Sequence, residues 1–257
     1  MTDFREVRSA EEAPLAASQI GPRTILKSAD YGYDGKGQVR IDTPSEASEA
    51  FQKIARPVCV LEKLIAFDCE ISVICARTAS GQTQCFAPGR NDHVNGILDI
   101  TTVPAGILPA VEKRATELAI AICDAIKLVG VLAVEMFVVG ENILVNELAP
   151  RPHNSGHHTF DACVTSQVEQ QLRAVCGLPL GDPTLLKPVA MANLLGDLWH
   201  DAAPNWSAAL RDPRVKLHLY GKQTAKPGRK MGHLTALADT ASQARQIVLG
   251  ARKALLG

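Results

Sequence analysis

Val131-Leu-Ala-Val-Glu-Met-Phe-Val-Val-Gly-Glu-Asn-Ile-Leu-Val-Asn-Glu-Leu-Ala-Pro-Arg-Pro-His-Asn-Ser-Gly-His157 holds two apolar runs around a Gly-Glu-Asn turn, then the densest polar stretch of the chain. Such runs predict a hairpin of strands over 131–139 and 143–148. Setting Val139 opposite Ile143 and counting back places Glu135 opposite Glu147, with Cβ atoms roughly 5 Å apart on one face. Two carboxylates there repel, and neither has a natural cation partner in the sequence. A divalent cation between them resolves the conflict, and magnesium suits oxygen ligands that also touch nucleotide phosphates. A register slip by one, or a glutamate turned to solvent, dissolves the pair. The loop that follows sits beside this metal site, and Arg151 offers a fork for carboxylate or phosphate. His153, Asn154 and Ser155 add small polar groups on the same loop.

Outward from the hairpin, strands and helices alternate. Ser9 with Glu12 forms a capping box for a helix beginning near Ala10. Strands are expected over 24–28, 38–41 and 58–65. Thr43, Pro44 and Glu46 start a helix running to about Ala55. A second hairpin joins 70–77 to 83–87 through Ser80-Gly81. The clearest helix spans about 108–128, with Val111, Ala115, Leu118, Ala119, Ile122 and Ile126 on one face. Another helix covers 165–176, and past Pro188 the chain turns short-stranded and β-rich. The class is α+β, with mostly antiparallel sheets.

The glycine-rich segment Tyr31-Gly-Tyr-Asp-Gly-Lys-Gly-Gln38 lies between two strands, so it is neither a Rossmann fingerprint nor a Walker A loop. Such a loop can fold over a polyphosphate, with Lys27 and Lys36 as countercharge, or be a plain hairpin turn. Lys222, Lys226, Arg229 and Lys230 form a basic cluster that reads equally as a solvated face or a phosphate-monoester pocket.

Lysine plus arginine and aspartate plus glutamate both number 27, so net charge points to neither nucleic acid nor a membrane surface. With no basic-then-apolar leader at Met1 and no run of about 18 apolar residues, the reading is cytoplasmic. The seven cysteines show no zinc or redox spacing. Small buried hydrophobes without disulfides are expected.

Together these stretches resemble N5-carboxyaminoimidazole ribonucleotide synthetase, the ATPase subunit of phosphoribosylaminoimidazole carboxylase, over about 24–257. Gly32-Tyr-Asp-Gly-Lys-Gly-Gln38 and Asn146 to His157 carry the likeness, supported by Phe67-Asp-Cys-Glu-Ile-Ser72 and Pro227-Gly-Arg-Lys-Met-Gly-His233. The resemblance implies an ATP-grasp fold with nucleotide held between two α+β subdomains. These would be 1–65 (small) and 66–187 (large), with a β-rich C-terminal subdomain at 188–257. It implies a ligase of purine biosynthesis, a lyase activity as well, and ATP and magnesium as cofactors. Lys27 and the loop residues Gly32, Tyr33, Asp34, Gly35, Lys36, Gly37 and Gln38 would meet the phosphates. Glu62, Lys63, Leu64 and Ile65 would face adenine, Glu70 the ribose, and His93 the phosphate region. Asn146 would stand beside the metal-binding Glu135 and Glu147. Ala149 occupies a position where many ATP-grasp enzymes carry a metal-shell asparagine. Arg151, His153 and Asn154 are candidates for holding bicarbonate and 5-aminoimidazole ribonucleotide. Tyr33, Ser155, Lys222, Arg229 and Lys230 would hold the ribonucleotide and its phosphate.

Family members normally begin with a βαβ domain carrying a glycine-rich turn, and no such unit precedes Lys27 in this sequence. A ligase, a magnesium-ATP-binding module without turnover and another ATP-grasp carboxylate–amine ligase are the three readings. Partners are small molecules; the sequence does not fix the oligomeric state, and a homodimer is one assembly it leaves open.

Overall fold

The computed structural model describes residues 3–30, 37–199 and 203–256. They divide into two compact units, residues 1–67 with 95–97, and residues 68–94 with 98–257. In the first, β1 (Phe4–Val7), β4 (Cys59–Lys63), β2 (Thr24–Ser28) and β3 (Gln38–Ile41) form an antiparallel sheet in that order. Helices α1 (Ala13–Ile20) and α2 (Ala47–Ile54) share a core with it. Leu26, Ile41 and Leu61 fill that core, and Ala13, Ala17, Ala47 and Ala50 let the helices approach closely.

The expected strands of this unit lie where the alternation placed them, but the helix starts differ. The Ser9–Glu12 box is formed, with Ser9 N donating to Glu12 at 3.0 Å and Glu12 N to Ser9 Oγ at 3.3 Å. The α-helix nevertheless begins at Ala13, because the box closes only a turn, and Pro14 follows as the second helical residue, where its missing N–H costs nothing. Likewise Pro44–Glu46 is a 3-10 turn and α2 begins at Ala47.

The second unit is built on a nine-stranded sheet. Its strands are β5 (Cys69–Arg77), β6 (Thr83–Cys85), β7 (Gly89–Val94), β8 (Ile97–Val103), β9 (Gly130–Val139), β10 (Asn142–Ala149), β11 (Val189–Leu195), β12 (Val215–Leu219) and β13 (Lys230–Leu237). Their order is β10-β9-β5-β7-β8-β11-β13-β12, with β6 on β5. Helices are α3 (Pro109–Ala125), α4 (Thr159–Ala162), α5 (Gln167–Val175), α6 (Trp206–Ala209) and α7 (Ala241–Ala254). Val111, Ala115, Ala119 and Cys123 of α3 pack on Ile71, Val73, Leu132 and Val134. The opposite face of β5 and β9 carries Ile74, Ala76, Val131 and Ala133, buried with Ala174 of α5. Both strands are therefore covered on both sides, which is why they read as nearly continuous apolar runs, broken within by Glu70, Ser72 and Glu135. The region past residue 188 is sheet-rich, and its three strands extend this same sheet through the β8–β11 pairing.

One expectation is overturned. Cys75 and Cys85 form a disulfide, because β6 pairs antiparallel with β5 and makes them direct cross-strand partners. No spacing in the sequence reveals that pairing. No helix among the described residues is long and apolar enough to cross a membrane.

Candidate active site

The carboxylate pair is present, reached by a different register. The loop is two residues, Gly140-Glu141, with Gly140 at φ 57, so Val139 faces Asn142 and Val138 faces Ile143. That pairing alone would put Glu135 opposite Asn146. The register shifts between Val145 and Glu147, and Glu147 then becomes the partner of Glu135. Asn146 is the extra residue of this bulge, a device that re-aims side chains at functional edges.

The row continues across the sheet, since Ser72 of β5 is the next Cα partner of Glu135. Two residues before it, Glu70 takes the His93 Nδ1 at 2.6 Å through its Oε2. Burial and the Glu147 charge push the Glu135 carboxyl up to about 7, with Glu70 adding to the effect and His93 and Lys230 opposing it. Burial by itself would lower the His93 imidazole, but the hydrogen bond and charge of Glu70, backed by Glu135, hold it above its ordinary value. The donor set is all oxygen and poor in compensating charge, which fits a hard divalent cation bound by Glu135 and Glu147.

The polar loop leaves β10 and turns back over this row. His153 Nε2 lies 3.4 Å from Glu135 Oε1. Its backbone is clamped by Gln167, whose Oε1 accepts from His153 N at 2.9 Å while its Nε2 donates to His153 O at 2.7 Å. Ser155 is fully buried and meets Ser72 Oγ at 2.8 Å. Both amide atoms of Asn154 are buried without a partner among the described residues, as a group kept for a polar ligand would be. Arg151 is exposed beside them.

The basic cluster divides. Lys230 acts electrostatically on Glu135, His93 and His157, which places it with the carboxylate row. Arg229 donates to Thr224 O at 2.8 Å and Lys222 to Lys230 O at 2.5 Å, both from exposed positions. In the first unit Lys27 Nζ pairs with Glu62 Oε2 at 2.7 Å, bringing together a phosphate candidate and an adenine candidate. Lys63 is exposed and Leu64 and Ile65 half-buried just past β4, while Gly37 and Gln38 are exposed at the start of β3. Gly32, Tyr33, Asp34, Gly35 and Lys36 lie outside the described residues.

A second cluster, Asp161, His218 and His233, brings three ligand-type atoms within 4.8 Å. It is a poor metal site. The two rings stack 4.5 Å apart at 14°, and an imidazole lone pair lies in its ring plane, so near-parallel planes offer no shared point to one ion. His218 Nε2 already meets Asp161 Oδ2 at 2.8 Å, and His233 Nδ1 meets Tyr220 Oη at 2.8 Å. Burial keeps His157 and His233 neutral, at about 4 and about 3.

Two residues were given no role by the sequence reading: Ser72, quoted only as the end of a matching stretch, and Gln167. The signal for Ser72 was a lone hydroxyl inside an apolar strand, where burial without a partner is costly.

Residues 1–168 match the ATP-grasp domain family, and residues 189–247 match the phosphoribosylaminoimidazole carboxylase C-terminal domain. The N5-carboxyaminoimidazole ribonucleotide synthase of Bacillus subtilis (strain 168) is 44% identical over 234 residues, 89% of this chain and 60% of that protein. The crystal structure of N5-carboxyaminoimidazole ribonucleotide synthetase from Thermus thermophilus superposes with TM-score 0.88 at 35% identity, covering 100% of this chain and 68% of the other. The Aspergillus clavatus synthase, crystallised with ADP and 5-aminoimidazole ribonucleotide, gives 0.89 at 31% identity, over 99% and 68%. The chain thus spans 60% of its Bacillus relative's length. These names support a ligase and give no support to a lyase.

Proposed function

Since the chain belongs to the ATP-grasp family, and within it to the N5-carboxyaminoimidazole ribonucleotide synthetases, we propose that it carboxylates 5-aminoimidazole ribonucleotide at the expense of ATP. The observation that carries the reading is the half-buried Glu135 beside Glu147, with His93, Lys230 and His153 near it. A bicarbonate oxygen attacks the γ-phosphorus of ATP, giving carboxyphosphate and ADP. Carboxyphosphate loses phosphate, and the exocyclic amine of the ribonucleotide takes up the carbon dioxide released beside it.

Protein residues act here by position and charge. Glu135 and Glu147, with Asn146 beside them, would hold magnesium, which supplies countercharge to the phosphate oxygens. Lys27 and the loop Gly32 to Gln38 contact the phosphates, with His93 near them. Residues Glu62 to Ile65 face adenine and Glu70 the ribose. Arg151, His153 and Asn154 hold bicarbonate and the aminoimidazole, and the unpartnered Asn154 amide supports this. Tyr33, Ser155, Lys222, Arg229 and Lys230 hold the ribonucleotide and its phosphate. Residues 1–65 and 66–187 are the two ATP-grasp subdomains of this reading, and 188–257 the C-terminal one. Its setting is the cytosol and its assembly a homodimer.

The test is ADP release from magnesium-ATP and bicarbonate, with and without 5-aminoimidazole ribonucleotide. Release stimulated by the ribonucleotide establishes the ligase. ATP binding without stimulation points to a nucleotide-binding module, and stimulation by a different amine points to another ATP-grasp ligase.

A further inference from the structure

Ser72 and Ser155 form a buried chain of hydroxyls that ends on a ring nitrogen of His153, and the direction of each bond can be settled from chemistry alone. Ser155 N stands 3.4 Å from His153 Nδ1. A backbone amide only donates, so Nδ1 presents a lone pair. Ser155 Oγ lies 2.9 Å from the same nitrogen and therefore gives it the single proton of its hydroxyl. With that proton used, Ser155 Oγ can only accept from Ser72 Oγ, 2.8 Å away. Both serines are at most 2% exposed, so water does not compete for these positions.

We infer that Ser72 is a positioning residue that fixes His153 in the tautomer with its proton on Nε2. Its hydroxyl occupies an acceptor site on Ser155. Without it, Ser155 Oγ could turn and accept from a protonated Nδ1, opposed only by the long 3.4 Å contact of the Ser155 amide, which is weaker than the 2.9 Å hydroxyl bond, and both tautomers would become populated. In the fixed form the neutral ring offers an N–H at the Glu135 edge, 3.4 Å from that carboxylate, and no lone pair on that side. His153 is thus a hydrogen-bond donor to an anionic oxygen and not a proton acceptor. Ser72 is well placed for this role. It stands beside Glu135 on the neighbouring strand, so one cross-strand row carries both the carboxylate and the group that orients the histidine facing it. The kinetic consequence rests on the function proposed above; the tautomer does not.

The experiment is nitrogen-15 NMR of histidine-labelled protein at pH 8, where the shift of each ring nitrogen tells lone pair from N–H. The His153 signals are identified by their loss in His153→Gln. The wild type should show a lone pair on Nδ1 and a proton on Nε2, and Ser72→Ala should populate the opposite tautomer. Should Ser72→Ala not fold, Ser72→Cys gives the same comparison with a weaker donor. Ribonucleotide-stimulated turnover should fall about tenfold in Ser72→Ala with KM for ATP unchanged, as for partners that orient a site histidine, and Ser72→Thr should restore it. A wild-type proton on Nδ1, or an unaltered tautomer in the Ser72 variants, overturns the inference. A tautomer shift in a protein that shows no ribonucleotide-stimulated turnover supports it and counts against the function instead.

Discussion

Glu135 is held in a place that suits it poorly without a cation. Its carboxyl titrates at about 7, raised by burial and by Glu147, against an unfolded value of 4.5. A carboxylate raised on folding imposes no penalty below the unfolded value and the full penalty above the folded one. The shift corresponds to roughly 3 kcal/mol at most. Glu135→Gln should therefore be more stable than the wild type at pH 8 in EDTA, with the gap closing as pH falls to 4.5. Urea denaturation at both pH values reads this, and a variant less stable than wild type at pH 8 would mean that Glu135 is already compensated. Magnesium should stabilise the wild type and leave the variant unmoved. Glu147 differs, since its side chain is exposed. Glu147→Gln should leave the fold at least as stable as wild type at pH 8 in EDTA, because it removes a charge that raises Glu135, yet abolish magnesium-dependent ADP release. Retained release would remove Glu147 from the metal site.

The hairpin of β9 and β10 shows how an element can deliver the expected pair through an unexpected register. Counting outward from a three-residue turn paired Glu135 with Glu147. The two-residue turn moves every pair by one, and the bulge at Asn146 moves them back. Alternating apolar residues reveal strands but not bulges, because an extra residue is accommodated in backbone geometry and leaves no composition of its own. Strand β7 was missed for a related reason. Gly89-Arg-Asn-Asp-His-Val94 has almost no apolar alternation, because its side chains serve ion pairs, Arg245 with Asp92 and His93 with Glu70. Helix α7 was legible in principle, with Thr240 capping Gln243 N and Ala244, Val248 and Ala251 buried at helical spacing. The loop after β10 was legible as a polar site but not as a clamp. Gly156 is a case in point, since a Cβ there would meet Gln167 Oε1 at 2.4 Å. Gln167 cannot swing aside without giving up both hydrogen bonds to the His153 backbone. Gly156→Ala should cost about 1–3 kcal/mol and lower turnover through His153. Thermal melts and ADP release check this together, and an unchanged melting temperature would show that Gln167 yields freely.

At the scale of the whole molecule, acid acts unevenly, because the sequence places all seven histidines outside residues 1–67. Burial pushes His158 down to about 4, and its Nδ1 is tied to Ser155 O at 2.9 Å. Burial likewise holds His157 at about 4 and His233 at about 3. A histidine depressed on folding contributes stability that is whole above its unfolded value of 6.5 and is lost as pH falls towards the folded value. For His158 alone that amounts to roughly 3 kcal/mol. Glu135 works in the opposite sense, since it gains a proton between about 7 and 4.5 and relieves its own penalty. His93, held above its ordinary value, works in the same sense as Glu135, but two opposing groups do not offset three depressed histidines, so the unit of residues 68–257 loses stability between pH 6.5 and 4. Residues 1–67 contain no histidine, and of their ion pairs Arg23 with Asp42 is solvent-exposed and weak while Lys27 with Glu62 is half-buried. Amide hydrogen exchange at pH 7 and pH 5, corrected for intrinsic rates, should show β5, β9 and β13 losing protection while β2 and β4 keep theirs. Glu135→Gln should begin that loss at a higher pH, because its offsetting proton uptake is gone. Uniform loss across both units would mean that the buried imidazoles do not govern acid stability and that the two units open together.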